Sequence, residues 1–333
     1  MIRDKALSIC GISKHQYYYQ ELKGPRGVKP SVHTPKFMDG GIIEIVKEDQ
    51  IVQEIGEIQK EPETDYGYKK MCVALMLLGY MINPKKVYRI MKENHMLHAR
   101  RRRPGRIYVK YRRVYPQGPL EVLEMDIKYQ WVEVERRHSY ILTILDTFTR
   151  AVLHWEVGYT MQQAQIKRAW EQVIINHLQK AGCLARGIHI EIRNDNGSQF
   201  AAKMIQQFFK DNYLNQVFTH PYTPQENGHI ESFHSILGES LGRKRFFKIN
   251  DLEKYLKGFY QTYNYKRLHA SIATLCPMTF WKLWNQQMIE KREKPNKSVT
   301  FKLKIPYYML SGNGNLRNAS CKILSDPQGQ SIN

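Results

Sequence analysis

Two hydrophobic patterns divide this chain, and they change over near residue 119. Before it, apolar residues recur mostly at helical spacing. Residues 2–20 read as a short helical pair with Ala6, Leu7, Ile9, Ile12 and Tyr17 apolar, a turn at residues 11–13 and Ser13 as N-cap. Residues 23–41, rich in Gly and Pro, read as a linker. Ile42, Ile45, Val46, Ile51, Val52, Ile55 and Ile58 predict one helix over 42–58. A second helix runs from about Tyr68 to Leu78. After a glycine turn at residues 79–83, a third opens on Asn83 as N-cap with Pro84 in its first turn, and reaches about His95.

Beyond residue 119, strand patterns alternate with helical ones. Leu120–Val134 reads as a strand with a turn near Tyr129, followed by strands at Tyr140–Leu145 and Ala151–Val157. Then come a helix over Gln162–Gln179, a strand at Ile188–Ile192, a helix over Gln199–Asp211, a short strand at Val217–Thr219 and a helix over Gly228–Leu241. The order βββαβαβα is that of a ribonuclease-H-like α/β domain, a mixed five-stranded sheet with flanking helices. The aromatic residues of 250–284 sit at helical spacing and are read as core. The expected division is a short helical segment (1–22), a linker (23–41), a helix-turn-helix domain (42–99), a basic arm (100–118), a catalytic core (119–245), C-terminal helices (246–290) and a basic extension with short strands (291–333).

Charge sharpens this picture. The net charge is +20 over 333 residues, and residues 119–240 are net negative while both flanks are strongly basic. Basic arms around an acidic centre suit a protein that holds a polyanion and binds cations between them. Residues 66–118 hold 14 Lys and Arg against one acid, Glu93. Taken alone, Lys85, Lys86 and Arg89 on the third helix fit either a helix-turn-helix or an ordinary helical hairpin with a solvated face. The run Arg100, Arg101, Arg102, Arg103 favours DNA. Arg243, Lys244 and Arg245 form a second basic cluster. The five cysteines are scattered with no C-x-x-C pair, and the chain shows neither a signal-peptide pattern nor an apolar run of membrane-spanning length. A cytoplasmic, DNA-associated protein with no membrane partner is expected.

The candidate chemistry lies in three carboxylates. Asp126 stands in the strand Leu123-Glu-Met-Asp-Ile-Lys-Tyr129, Asp195 in the polar turn Asn194-Asp-Asn-Gly197, and Glu231 near the start of the Gly228–Leu241 helix. Residues 124, 126 and 128 share one strand face, and a mid-strand carboxylate is costly unless paired or bound to metal. Oxygen ligands of this kind suit two Mg²⁺ or Mn²⁺ ions acting on phosphodiesters. Asp146 is the chief competitor, but its place in a strand turn favours a local hydrogen-bonding role. His234, one turn after Glu231, and Asn196, beside Asp195, are accessory candidates. The chain has neither a Walker-type loop nor a Ser-His-Asp pattern, which argues against nucleotide hydrolysis and acyl transfer.

Together these segments resemble the retroviral-integrase-like core of bacterial insertion-sequence transposases, and most closely the OrfB type of the IS-three family. Tyr66-Gly-Tyr-Lys-Lys70, Leu78-Gly-Tyr80, Asn83, Lys86-Val-Tyr-Arg89, Met91-Lys92 and Arg100–Arg103 look like its pre-core helix-turn-helix. Met125-Asp-Ile-Lys-Tyr129, Leu145-Asp-Thr-Phe-Thr-Arg150, Asn194-Asp-Asn-Gly-Ser-Gln-Phe200, Pro224-Gln-Glu-Asn227 and Ile230-Glu-Ser-Phe233 look like its core. Tyr263-Asn264, Lys266-Arg267, His269 and Pro277-Met-Thr-Phe280 look like its closing segment. The resemblance covers roughly residues 2–284 and departs in three places. The basic residue often found seven positions after the glutamate is Gly238 here, which would either pass its role to Arg243–Arg245 or reduce activity. Lys128 replaces a small polar residue, and residues 295–333 run past the pattern.

The resemblance implies a transposase with Asp126, Asp195 and Glu231 as catalytic metal ligands. Its substrates would be double-stranded DNA, namely the terminal inverted repeats and a target. It would work as a homo-oligomer on DNA, with a separate OrfA protein or as part of a frameshift fusion. Two other readings compete, a DNA-binding regulator without chemistry and a structure-selective nuclease that never joins strands.

Overall fold

The computed structural model describes residues 3–18, 30–98, 115–183, 185–219, 224–293 and 299–311. It divides into two compact units, Met1–His33 and Thr34–Asn333. In the first, α1 (Arg3–Ile9) and α2 (Lys14–Tyr17) are separated by a turn with Gly11 at φ +65°. Ser13 caps α2: its Oγ accepts the Gln16 N–H at 3.2 Å, and Gln16 Oε1 accepts the Ser13 N–H at 2.9 Å.

The second unit opens within β1 (His33–Phe37), which forms a two-stranded sheet with β2 (Ile43–Lys47) before α3 (Glu48–Gln59). The helix expected from Ile42 therefore starts six residues late. Ile42 and Ile45 mimic a helical repeat, but β-branched residues dominate 42–46 and favour extended backbone, with Val46 buried and Ile43 and Ile45 exposed. Glu48 and Asp49 then supply the negative first turn that a helix prefers. Next come α4 (Tyr68–Leu77) and α5 (Pro84–Glu93), with Asn83 Oδ1 accepting the Lys86 N–H at 2.9 Å as the sequence predicts. Ile51, Ile55, Met71, Leu75, Val87, Ile90 and Met91 form the core of these helices. Gly79 ends α4 at φ +95°, where a Cβ would fall 2.4 Å from the Phe37 carbonyl oxygen.

The central sheet has the order β5-β4-β3-β6-β7, built from β3 (Val122–Val132), β4 (Arg137–Asp146), β5 (Val152–Gly158), β6 (Ile190–Asn194) and β7 (Leu214–Phe218). The first three strands are antiparallel, and β6 and β7 run parallel to β3. This is the mixed ribonuclease-H-like sheet that the element order predicts. No turn breaks β3 at Tyr129, because Tyr129 stays in register opposite Tyr140. Residues of β3 alternate between two faces. Leu123, Met125 and Ile127 join the core under α6 (Gln163–Val173) and α7 (Lys203–Asp211), which centres on Trp170 and Phe209. The other face is covered by α8 (Gly228–Leu241) and α9 (Ile249–Tyr265). There Ile230, Phe233, Leu237 and Leu241 pack with Phe259, Tyr260 and Tyr263.

The aromatic residues of the C-terminal part are core residues, as expected: Tyr260 stacks on Trp155 at 4.8 Å and bonds Thr143 Oγ1 at 2.7 Å. The helix α10 (Pro277–Asn285) packs Phe280 and Trp284 against Phe148 and against Phe301 of the hairpin β8–β9 (Ile289–Glu293 and Val299–Leu303). After α9 the chain returns to the early helices, where the Leu268 N–H bonds Tyr66 Oη at 2.8 Å. His269 is half-buried beside Tyr263, with its Nε2 enclosed. Burial pushes its pKa down to about 3, helped by the charges of Arg267, Lys70 and Arg150.

A depressed histidine pKa means that the folded protein binds fewer protons than the unfolded chain between about pH 3 and pH 6.5. The contribution of His269 is therefore complete above about pH 6.5 and is lost as pH falls through that window. His269→Gln is expected to flatten the fall of melting temperature on the acid side. A variant that tracks the wild type from pH 7 to 5 would exclude this residue as a source of acid lability.

Candidate active site

Two strands and one helix bring the three carboxylates to one end of the sheet. On β3, Glu124 lies level with Arg193 of the parallel strand β6. Carrying that register forward two residues sets Asp126 level with Asp195, just past the end of β6. Adjacent strands are about 4.8 Å apart. Asp195 tops a turn in which its Oδ1 accepts the Gly197 N–H at 3.0 Å, while a Cβ on Gly197 would lie at 3.0 Å from that same oxygen. Asn196 donates to the Thr219 carbonyl at 3.0 Å and so shapes the loop.

The helix α8 carries Glu231 and is fixed to β3 by a residue to which sequence reasoning assigned no role. Glu124 is fully buried, and its carboxylate accepts the Ile230 N–H at 2.7 Å and meets His229 Nδ1 at 2.9 Å. Ile230 lies in the first turn of α8, where unpaired N–H groups and the helix dipole favour a negative charge. Burial pushes the Glu124 pKa up to about 7, while the Ile230 N–H, Arg150 and Arg193 pull it back. Arg193 also pairs with Glu191 and donates to the Glu226 carbonyl at 3.3 Å, tying the turn before α8 to β6. The available signal was an acid inside an apolar strand, two residues before Asp126 and on the same face.

Further along the same pair of elements, His234 Nδ1 lies 3.2 Å from Asp126 Oδ2, and His234 Nε2 is buried with no hydrogen-bond partner among the described residues. Asp126 is the common neighbour of the other two acids. Burial raises the Asp195 pKa, the Gly197 N–H holds it back and the Asp126 charge adds to the rise. Burial raises Glu231 too, with the charges of Asp126 and Glu124 behind it. Among the described residues, no three His, Cys, Asp or Glu side chains stand close enough together, as placed, to hold one metal ion. Asp146 lies apart, fully buried, bonded to the N–H groups of Leu120 and Thr149 at 3.1 and 2.9 Å, and acts as the turn brace its position suggests.

The basic residues divide into three groups. Arg89 pairs with Glu48 of α3 and, at 2.9 Å, with Glu93, and Lys86 lies 3.9 Å from the same Glu48, so both knit α5 to α3. Lys85 is exposed, as are Arg243, Lys244 and Arg245 just past α8, although Arg243 reaches Glu239 at 3.3 Å. Arg100–Arg103 lie outside the described residues.

Residues 116–224 match the Integrase core domain family, residues 212–277 match a second family of that description, and residues 47–104 match the HTH-like domain family. With the sheet order above, they define an enzyme of the DNA polynucleotidyl transferase class, built on an integrase core behind a helix-turn-helix-like region. Within that class its relatives are proteins of insertion sequences, in agreement with its OrfB-type motifs, and the chain acts in DNA transposition or integration. It is 24% identical over 217 residues to a protein of insertion element IS407 from Burkholderia multivorans, spanning 65% of this chain and 75% of that one. It is 23% identical to InsK, the transposase assigned to insertion sequence IS150 of Escherichia coli, spanning 69% and 82% of the two chains. Among solved structures, the HTLV-2 integrase catalytic core in complex with magnesium aligns at 16% identity with a TM-score of 0.37, over 50% of this chain and 99% of that one. Among the described residues no helix is long and apolar enough to cross a membrane.

Glu124→Gln keeps an acceptor for the Ile230 N–H, whereas Glu124→Ala leaves that buried donor unpaired. The alanine variant is expected to lose about 1–3 kcal/mol more than the glutamine variant in urea unfolding. Equal losses would mean that the bond to α8 contributes nothing.

Proposed function

We propose that the chain cleaves the 3′ ends of its own insertion element and joins them to new DNA by direct transesterification. One observation supports this reading above the others: Asp195 and Glu231, from distant segments, both feel the charge of Asp126 at one end of the sheet. The donor set is hard carboxylate oxygen, and neither Asp195 nor Glu231 has an ion-pair partner among the described residues. Such a set fits divalent cations, so Asp126, Asp195 and Glu231 would hold Mg²⁺ or Mn²⁺, two ions per site. When bound, the ions would supply an activated water and charge stabilisation at the phosphoryl group.

The protein's own part is positioning. Glu124 sets the height of α8 and hence of Glu231, and His234 fixes the orientation of Asp126. Water opens a phosphodiester to leave a 3′-hydroxyl. That hydroxyl then attacks a second phosphodiester, with one P–O bond made for each one broken, so no ATP is consumed. Region 42–99 and the arm 100–118 would bind the terminal repeats. Lys85, Arg100–Arg103 and Arg243–Arg245 would contact phosphates, whereas Lys86 and Arg89 are held by Glu48. Holding two ends calls for a homo-oligomer on DNA, with OrfA as a partner.

The decisive assay uses purified full-length protein, labelled duplexes from the borders of the element and Mg²⁺ or Mn²⁺, with and without OrfA. Metal-dependent 3′ cleavage and joined products are expected, and both should vanish in Glu231→Gln and Asp195→Asn. Cleavage with no joined product under any condition would identify a plain nuclease. Binding with no chemistry would identify a regulator.

Replacing Arg100–Arg103 by alanine is expected to weaken DNA binding on every sequence. It should also reduce the slope of log K against log salt by roughly one for each phosphate that is no longer neutralised. An unchanged slope would place this run away from the DNA backbone.

A further inference from the structure

Lys128 is the third residue on the face of β3 that carries Glu124 and Asp126, and it points at the second turn of α8 beyond Glu231. A Cβ built on Gly238 would lie 3.1 Å from Lys128 Nζ and 3.3 Å from its Cε. The ammonium thus fills the space that a side chain at position 238 would begin to occupy. Lys128 is half-buried and makes no side-chain hydrogen bond or ion pair among the described residues. A lysine kept for stability would be expected to pair with an acid, since partial burial costs an unpaired cation solvation. This one stands two strand residues from Asp126, and no described residue pairs with its charge.

We propose that Lys128 is the phosphate-binding cation of this active site, and that Gly238 makes room for it. The ligand is a phosphodiester oxygen of the DNA strand lying across the carboxylates. A point-charge ammonium suits such an interaction, and a cation beside three acids offsets the repulsion between them and the polyanion. Position 238 lies seven residues, two helical turns, after Glu231 and so on the same helix face. A basic residue placed there on the helix would reach the space that Lys128 reaches from the strand. The exposed Arg243, Lys244 and Arg245 lie beyond the end of α8 and are farther along the chain from Glu231.

This inference rests on the strand-transfer reading, and its test keeps the two apart. The protein is full length and the probe is labelled border duplex, with Glu231→Gln as the chemistry control. Lys128→Thr is expected to cut joining by roughly ten- to a hundred-fold, as for the removal of one charge-assisted hydrogen bond. It should also lower the salt slope of binding by about one. Lys128→Thr combined with Gly238→Lys, which returns the charge from the helix, is expected to restore most of both. Melting temperatures of the single and double variants check that each folds. Lys128→Met keeps the stem over Gly238, removes only the charge and carries the same expectation should the threonine variant fail to fold. Wild-type joining that Glu231→Gln abolishes while Lys128 variants leave it unchanged would overturn the inference and spare the reading. A loss in Lys128→Thr that Gly238→Lys does not repair would overturn it too. If the wild type joins nothing, the reading fails, and a salt slope unchanged by Lys128→Thr then overturns the inference as well.

Discussion

The geometry of this protein hangs on one buried carboxylate. Glu124 reaches from the central strand to the first turn of α8, and its bond to the Ile230 N–H sets how the helix lies along the strand. The pairings then repeat in step. Glu124 meets Ile230, Asp126 meets His234 and Lys128 meets Gly238, so every second strand residue faces every fourth helix residue. Two residues of strand advance about 6.6 Å and four residues of helix about 6 Å, so the two elements keep pace over this distance. A hydrogen bond to a charged group contributes about 1.5–3 kcal/mol, and the helix dipole adds to it. Against this stands the cost of burying the charge, visible in a pKa pushed up to about 7.

The sheet supplies the third acid by a different route. Asp195 needs no helix to place it, because the parallel pairing of β3 with β6 sets it level with Asp126. Arg193, two residues earlier, holds the turn that leads into α8. Strand β3 and the end of β6 therefore each provide one acid of the candidate site and one buried charge that fixes the helix carrying the third. On the opposite face of β3, Leu123, Met125 and Ile127 anchor the strand against Trp170 and its neighbours.

What could be read from the chain follows from how local each signal is. Asn83 caps α5 and Ser13 caps α2 because a cap depends on three or four consecutive residues. The bounds of α8 were legible from its apolar stripe of Ile230, Phe233, Leu237 and Leu241. The segment 42–47 was not, since isoleucines at 42 and 45 fit a helical repeat while the backbone there pairs with β1. Lys86 and Arg89 look like DNA-binding residues in a basic sequence, and only the fold reveals that Glu48, forty-one residues before Arg89, engages them. The pairing of Lys128 with Gly238 was equally hidden. Each departs from the resembled pattern alone, and nothing in their separation along the chain connects them.

The polar stripe on β3 also explains why its register has little freedom. Glu124, Asp126 and Lys128 occupy one face of a strand that has helices on both sides. A slip of one residue would turn all three toward Trp170 and bring Leu123, Met125 and Ile127 to the helix end that needs a charge. Both faces would then carry groups without partners, and the desolvation of three charges would go uncompensated. Asp126 and Lys128, proposed to act on DNA, and Glu124, which positions α8, thus together forbid the alternative pairing. In this strand the demands of chemistry and of folding specificity fall on the same side chains, with the buried anchor Glu124, then Asp126, then Lys128 in linear order.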